Sequence, residues 1–378
     1  MKTLLYIAPI TNGAIASGYS TASEGMLEIF KKMQVEGLLL TDVYNNPYNL
    51  LPNNKHYDFC FVNANPNMIN NTRCLNQYRE LKQRCNKMFL SIVWEAEPYP
   101  EIWNTLFNAE IFDGYLCPSL FIKNLLKNKI KKPLFYYPHF IDISIYSGIE
   151  IENKLKQDSF VVSTCGQLTE RKSFDETIVA FSNSLGDNND CKLIIKTNRL
   201  GEKEEDIDNR IRRLSLSNGS TEAAIYSMKD QNISLDEMIN FYHETSLFVL
   251  PSKGEGFGLN IYEALSCGIN CLYSDFSSFS QLRKNKNLSS YTKHIEGNID
   301  LVKNMHQYGY QKNSKWFYPS IKDLSDKMKY SYESWKKNKE DYFTQGLKNR
   351  QYIINNFSYE PIKRTILNIF EGKEVFYG

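Results

Sequence analysis

Short runs of aliphatic, β-branched and aromatic residues alternate with stretches in which apolar residues recur every three or four positions, along most of the 378-residue chain. That alternation predicts βαβ units and a parallel sheet. In the first half, strands are expected near residues 3–9, 38–43, 57–63, 88–94, 112–116 and 134–137, with helical segments between most of them. After Pro138 the pattern gives way to a polar stretch, Ser147 to Asp158, which reads as a linker between domains. A second alternation places strands near 160–165, 192–197, 223–228, 247–250 and 270–274. From Ile321 onward the chain reads as helical and rich in Lys, Tyr and Asn, and no short repeat points to a solenoid. Two doubly wound sheets in tandem would set their ligand-binding loops at the carboxyl ends of the strands, facing a shared crevice.

Length agrees with two cores of roughly 150 to 200 residues. With 42% hydrophobic and 13% aromatic residues, the composition excludes a disordered or fibrous chain. The run Leu4 to Ile10 follows a single lysine and no small-residue cleavage site comes after it, so it reads as a strand and not as a signal peptide. No stretch nears the ~20 apolar residues that span a bilayer, so a cytoplasmic protein is expected, with peripheral membrane contact left open. The eight cysteines fall mostly inside apolar segments, the distribution of reduced core thiols. Cys267 and Cys271 lack a second pair with histidines nearby, which favours a structural role over zinc. A formal charge of +2 does not decide for or against an anionic partner. The densest basic run, Lys127 to Lys132, reads as a solvated helix end, with contact to phosphate or acidic lipid as the alternative.

The most informative segment runs from Leu250 to Gly268. An apolar strand leads into a turn with Gly254, Gly256 and Gly258 and the acid Glu255, and a helix starts near Gly258. Such glycines let backbone approach a ligand, and a helix start presents unpaired N–H groups and a positive dipole end to a phosphate. Glu255 would stand beside the group attached to that phosphate, and Glu263, about a turn inside the helix, could accept from vicinal hydroxyls such as those of a ribose. The plainer alternatives are a helix cap for Glu255 and a solvated face for Glu263. A second segment, Cys165 to Ser173, sets Arg171 and Lys172 after a strand end, where two cations can neutralise a diphosphate leaving group.

Together these segments resemble the retaining family 4 glycosyltransferases of the GT-B fold, with their E-x7-E signature. The match runs through Glu255-Gly256-Phe257-Gly258-Leu259, Glu263-Ala264 and Cys267-Gly268. The resemblance implies an α/β, GT-B architecture of two Rossmann-like domains facing a central cleft: an acceptor domain at 1–145 and a donor domain at 158–357. The final helix, about 358–378, would cross back onto the first domain. It assigns Glu255 to the donor sugar and Glu263 to the nucleotide ribose, and makes Gly18, Gln167, Arg171, Lys172 and Gly256 to Leu259 donor contacts. Gln167 stands where the family usually has arginine, and Ser173 where it has glycine.

In the first half the likeness is looser. Gly13 and Gly18-Tyr19-Ser20 resemble the glycine-containing loop under the pyrophosphate. Trp94-Glu95 resembles an acceptor-side loop, which makes Glu95 a candidate for orienting or deprotonating the acceptor hydroxyl, against a purely structural role. His139 departs from the family pattern and is assigned no chemistry.

Breaking a glycosyl phosphate bond builds negative charge on the phosphate, so preorganised donors there are the main requirement. Lys172, Arg171 and the N–H groups of Gly256 to Leu259 meet it. Asp206-Ile207-Asp208 reads as solvated surface and not as a metal motif, so no metal and no cofactor is expected, with the nucleotide sugar as co-substrate. The acceptor is expected to be a glycan or lipid-linked glycan in polysaccharide or glycoconjugate synthesis. The alternative acceptor is DNA, in a phage-type enzyme modifying hydroxymethylated bases. Two other classes share the fold pattern: a nicotinamide oxidoreductase, which the absent G-x-G-x-x-G disfavours, and a non-catalytic sugar-nucleotide sensor.

Overall fold

A computed structural model describes residues 2–10, 18–41, 43, 51, 55–198, 206–217, 224–229, 233–283, 285–303 and 309–373. The chain divides into two compact units. The first holds Met1–Phe140, Leu301–Lys315 and Phe357–Gly378, and the second Ile141–Asp300 and Trp316–Asn356.

In the first unit, strands β1 (Thr3–Ile7), β2 (Glu36–Leu40), β3 (Tyr57–Asn63), β4 (Cys85–Ser91), β5 (Gly114–Cys117) and β6 (Leu134–Tyr136) form a parallel sheet in the order β2-β1-β3-β4-β5-β6. One face is aromatic: Tyr6, Phe59, Phe61, Phe89 and Phe135 pack with Met26, Ile29 and Phe30 of the helix Gly18–Lys32. The helix Tyr359–Phe370 presents Ile362, Ile366 and Ile369, spaced by four and three, to the same core. Phe370 at its end stacks on Phe59 with centroids 4.3 Å apart.

The second unit carries β7 (Phe160–Gln167), β8 (Cys191–Asn198), β9 (Ile225–Lys229), β10 (Leu247–Leu250), β11 (Asn270–Ser274) and β12 (Lys293–Ile295), parallel, in the order β12-β11-β10-β7-β8-β9. Strand β10 is wholly buried, as expected where helices cover both faces of a parallel sheet. A two-stranded ribbon, β13 (Gly297–Leu301) with β14 (Lys315–Pro319), follows the sheet. The stretch 147–158, read above as a linker, contains the helix Ile151–Leu155 and is tied into the second unit, where Lys154 Nζ donates to Thr245 O at 2.7 Å.

Two strands start in stretches with polar residues, outside the apolar run that predicts them. β2 starts two residues early, at the exposed pair Glu36-Gly37, and β4 starts at Cys85, before the exposed Asn86 and Lys87. The short edge strand β12 and the ribbon strand β13, exposed throughout, carry no apolar run and went unpredicted.

The order of strands singles out one place in each sheet. In the second unit the chain runs β7, β8, β9 outward in one direction, then returns to lay β10 against the other side of β7. Loops leaving the carboxyl ends of β7 and β10 therefore diverge and leave a crevice, the usual ligand position in such sheets. The corresponding reversal in the first unit lies between β1 and β3.

Candidate functional site

The loop after β10 ends in a left-handed residue. Gly258 caps the helix Leu259–Ser266 at φ +86°, and a Cβ there would lie 2.4 Å from Phe279 Cε1, so only glycine fits. The loop is clamped from the segment beyond β11: the Glu255 N–H donates to Ser277 Oγ at 2.8 Å, and the Ser278 N–H to Glu255 O at 3.2 Å. Phe257 is buried and stacked on Tyr262 with centroids 4.2 Å apart, so its ring belongs to the core of the loop.

Near its carboxyl end β7 passes through Gly166, where φ is +154° and a Cβ would crowd Lys172 Cε at 3.2 Å. Gln167 follows, half-buried, and a single 3-10 turn, Glu170–Lys172, ends at Ser173 in the left-handed region, φ 54°, before the helix Phe174–Ser184. This turn delivers two cations to the β10 loop. Lys172 Nζ lies 2.6 Å from Glu255 Oε1 and Arg171 Nη1 lies 3.2 Å from Glu255 Oε2; Arg171 Nη1 also donates to Gly254 O at 2.5 Å. Both Lys172 and Glu255 are buried.

Burial pushes the Glu255 carboxyl up, but the charges of Lys172 and Arg171 outweigh it and hold the group down at about 2. Its folded value is depressed below the ordinary carboxyl near 4.5. The ion pair therefore adds stability that is fully present above that ordinary value and is lost as pH falls from there toward 2. Between about pH 5 and pH 2 the wild type is expected to lose a few kcal/mol more stability than Glu255→Gln, which has no such carboxyl to protonate. Denaturant unfolding along that pH series checks this, and parallel curves for the two proteins contradict it.

Two neighbouring clusters were not legible in the sequence. Lys253 is buried 3.0 Å from Glu170 Oε1 and 3.3 Å from Glu176 Oε1, over the Tyr318 ring at 4.9 Å. Burial opposes its charge, but the two carboxylates raise its pKa above the ordinary lysine value. Glu263, one turn into the helix, is buried too. Tyr242 Oη donates to its Oε2 at 2.7 Å and Tyr146 also bonds it; burial raises its carboxyl and these hydrogen bonds partly offset that. The E-x7-E spacing singles out Glu263 but not its tyrosine partners, and nothing in the sequence singles out Lys253 with Glu170 and Glu176.

The structure thus joins Arg171, Lys172 and Glu255 directly, and sets Glu263 on the helix Leu259–Ser266 that follows the Glu255 loop. Gly18 and Glu95 belong to the first unit. Gly18 is the first residue of its helix, and a Cβ there would meet nothing within 4 Å. Glu95 Oε1 accepts from Tyr310 Oη at 2.7 Å, and the Tyr310 ring packs on Trp94 at 5.2 Å. His139 is buried, and burial lowers its pKa to about 4, which leaves it neutral near pH 7. Gly13 lies outside the described residues. Asp206-Ile207-Asp208 is not solvated surface as expected: Ile207 is buried and Ser227 Oγ donates to Asp208, because the motif opens a helix packed beside β9. The basic run leaves Lys127, Lys129 and Lys131 exposed after the helix Leu120–Leu126.

The site's two loops, with Lys172, Arg171 and Glu255, fall within one stretch of chain. Residues 149–304 match the family of glycosyl transferases group 1. No curated protein sequence matches the chain. Solved structures share its fold over nearly the full length. A sucrose-phosphate synthase of Thermosynechococcus elongatus is 12% identical, with 98% of this chain and 99% of that one covered at a TM-score of 0.69. A glycosyltransferase of Rickettsia africae is 14% identical over 98% of each chain, at 0.66. HepE of Anabaena, solved with UDP and glucose, is 11% identical over 98% of this chain and 100% of its own, at 0.65. The fold is GT-B: α/β, with two Rossmann-like sheets.

Proposed function

We propose that this protein is a retaining, metal-independent glycosyltransferase that moves a sugar from a nucleotide diphosphate donor to an acceptor hydroxyl, in polysaccharide or glycoconjugate synthesis. The observation that carries this reading is the meeting of Lys172, Arg171 and Glu255 at the switch point between β7 and β10, inside the stretch that matches the glycosyl transferase family. UDP and glucose in HepE, on the same fold, point to a nucleotide diphosphate sugar as the donor class.

In this reading the helix start at Gly258 and the two cations receive the diphosphate, since unpaired N–H groups and fixed cations stabilise the charge that grows on a leaving phosphate. The glycosyl C–O bond breaks with its electron pair going to the phosphate oxygen. The acceptor oxygen bonds to the anomeric carbon from the same face, and its proton passes to that phosphate oxygen. Glu255 positions the sugar. Glu263 faces the nucleoside: an ionised carboxylate accepts about four hydrogen bonds, and two of its places are taken by Tyr242 and Tyr146. Glu95 orients the acceptor hydroxyl. Among the described residues no three His, Cys, Asp or Glu side chains come together as a metal site, and no helix is long and apolar enough to cross a membrane.

The test is a thermal-shift panel of UDP-, GDP-, ADP- and CDP-sugars with and without EDTA, joined to a donor-hydrolysis assay. One donor at 100 times its dissociation constant is expected to add about 2.7 kcal/mol, with turnover that survives EDTA. No shift and no turnover with any donor would end the proposal. Activity lost in EDTA and restored by Mg or Mn would end its metal-free part.

A further inference from the structure

Glu255 already occupies the charges that a diphosphate needs. Each of its carboxylate oxygens engages one cation, Lys172 at 2.6 Å and Arg171 at 3.2 Å, and the Lys172 and Glu255 side chains are only 9% and 7% exposed. A phosphate oxygen that reaches Lys172 comes within a few ångströms of a carboxylate that little water screens. Like charges about 4 Å apart shift affinity by roughly three powers of ten at an effective dielectric of about 20, before the pull of the two cations is counted.

The repulsion grows with the charge on the phosphate. In the intact nucleotide sugar the sugar-bearing phosphate is a diester with a single charge. After the glycosyl bond breaks and the acquired proton leaves to solvent, it is a terminal phosphate carrying about −1.5 to −2 at neutral pH. In the reading proposed above, Lys172 and Arg171 face that phosphate, so the added charge develops beside Glu255.

We infer that Glu255 is a built-in competing anion, which biases the site against the free nucleoside diphosphate and toward the intact nucleotide sugar, and so hastens product release. The inference rests on the site taking a nucleotide diphosphate sugar, as proposed above. It gives Glu255 a role that sugar contact does not require. A carboxylate that only touches the sugar leaves the affinity for the free diphosphate unchanged when replaced by an amide. One that only holds the loop together lowers that affinity along with stability.

Calorimetry with UDP, GDP, ADP and CDP, and with the corresponding nucleotide glucose, on wild type and Glu255→Gln separates these cases. The variant is expected to bind the free diphosphate tenfold or more tighter than wild type, to gain less for the nucleotide sugar, and to show stronger product inhibition. Unchanged or weaker diphosphate binding by a variant that unfolds cooperatively overturns the inference while leaving the site in place. If wild type binds none of the diphosphates, the reading of the site itself falls. Should the variant not fold, a crystal structure of the wild type with the bound diphosphate decides: the Lys172–Glu255 ion pair is expected to be broken, and an ion pair kept at 2.6 Å overturns the inference.

Discussion

Lys172→Met is expected to lower sugar transfer by roughly two to four powers of ten, since a charged group aimed at the leaving phosphate is worth several kcal/mol in the transition state. The methionine keeps most of the buried stem that lies along Gly166, so the loss reports the charge and not the packing. Stability falls as well. Of its two cations Glu255 keeps Arg171, at 3.2 Å and partly exposed, and breaking a buried pair by removing one partner costs about 3–5 kcal/mol where nothing compensates. Diphosphate affinity should drop, opposite in sign to the change expected in Glu255→Gln, so the two variants form an internal control. Single-turnover transfer measured beside thermal unfolding gives the answer. Normal transfer by Lys172→Met would place the leaving phosphate elsewhere.

Gly258→Ala is expected to destabilise the second unit strongly for a change of a single methyl group. Holding an L-residue at φ +86° costs roughly 1–2 kcal/mol by itself. The added Cβ would sit 2.4 Å from both Cε1 and Cζ of Phe279, a ring that is 1% exposed and has nowhere to retreat. Overpacking of that kind adds about 1–3 kcal/mol, for a total near 3 or more. The same Cβ lies 3.4 Å from Glu255 Cβ, so relief of the clash moves the carboxylate off its cations and activity falls with stability. Gly18→Ala is the control, because its Cβ meets nothing within 4 Å. Urea unfolding of both proteins checks the contrast, and equal midpoints would mean that the loop yields where the packing says it cannot.

Local pattern alone determined the two alternating series of strands and helices, because a buried parallel strand such as Leu247–Leu250 has to be apolar throughout and a helix facing a core has to repeat near 3.6. It also determined the glycine turn and helix start around Gly258, where a short-range conformational demand admits one residue type. The short edge strand β12 and the ribbon strand β13 escaped, since a strand with one partner or an exposed face needs no apolar run. The sequence picked out Arg171, Lys172 and Glu255 one by one, but 83 residues separate Lys172 from Glu255, and no periodicity reports that distance in space. Only the order in which the strands assemble, with β10 returning to the side of β7, brings the two loops together. Tertiary structure likewise decided that Lys253 is buried between Glu170 and Glu176 and that Glu263 is held by two tyrosines. An ionic group can be buried only where opposite charge or hydrogen bonds from distant segments converge on it, and that convergence is a property of the fold, not of neighbours along the chain.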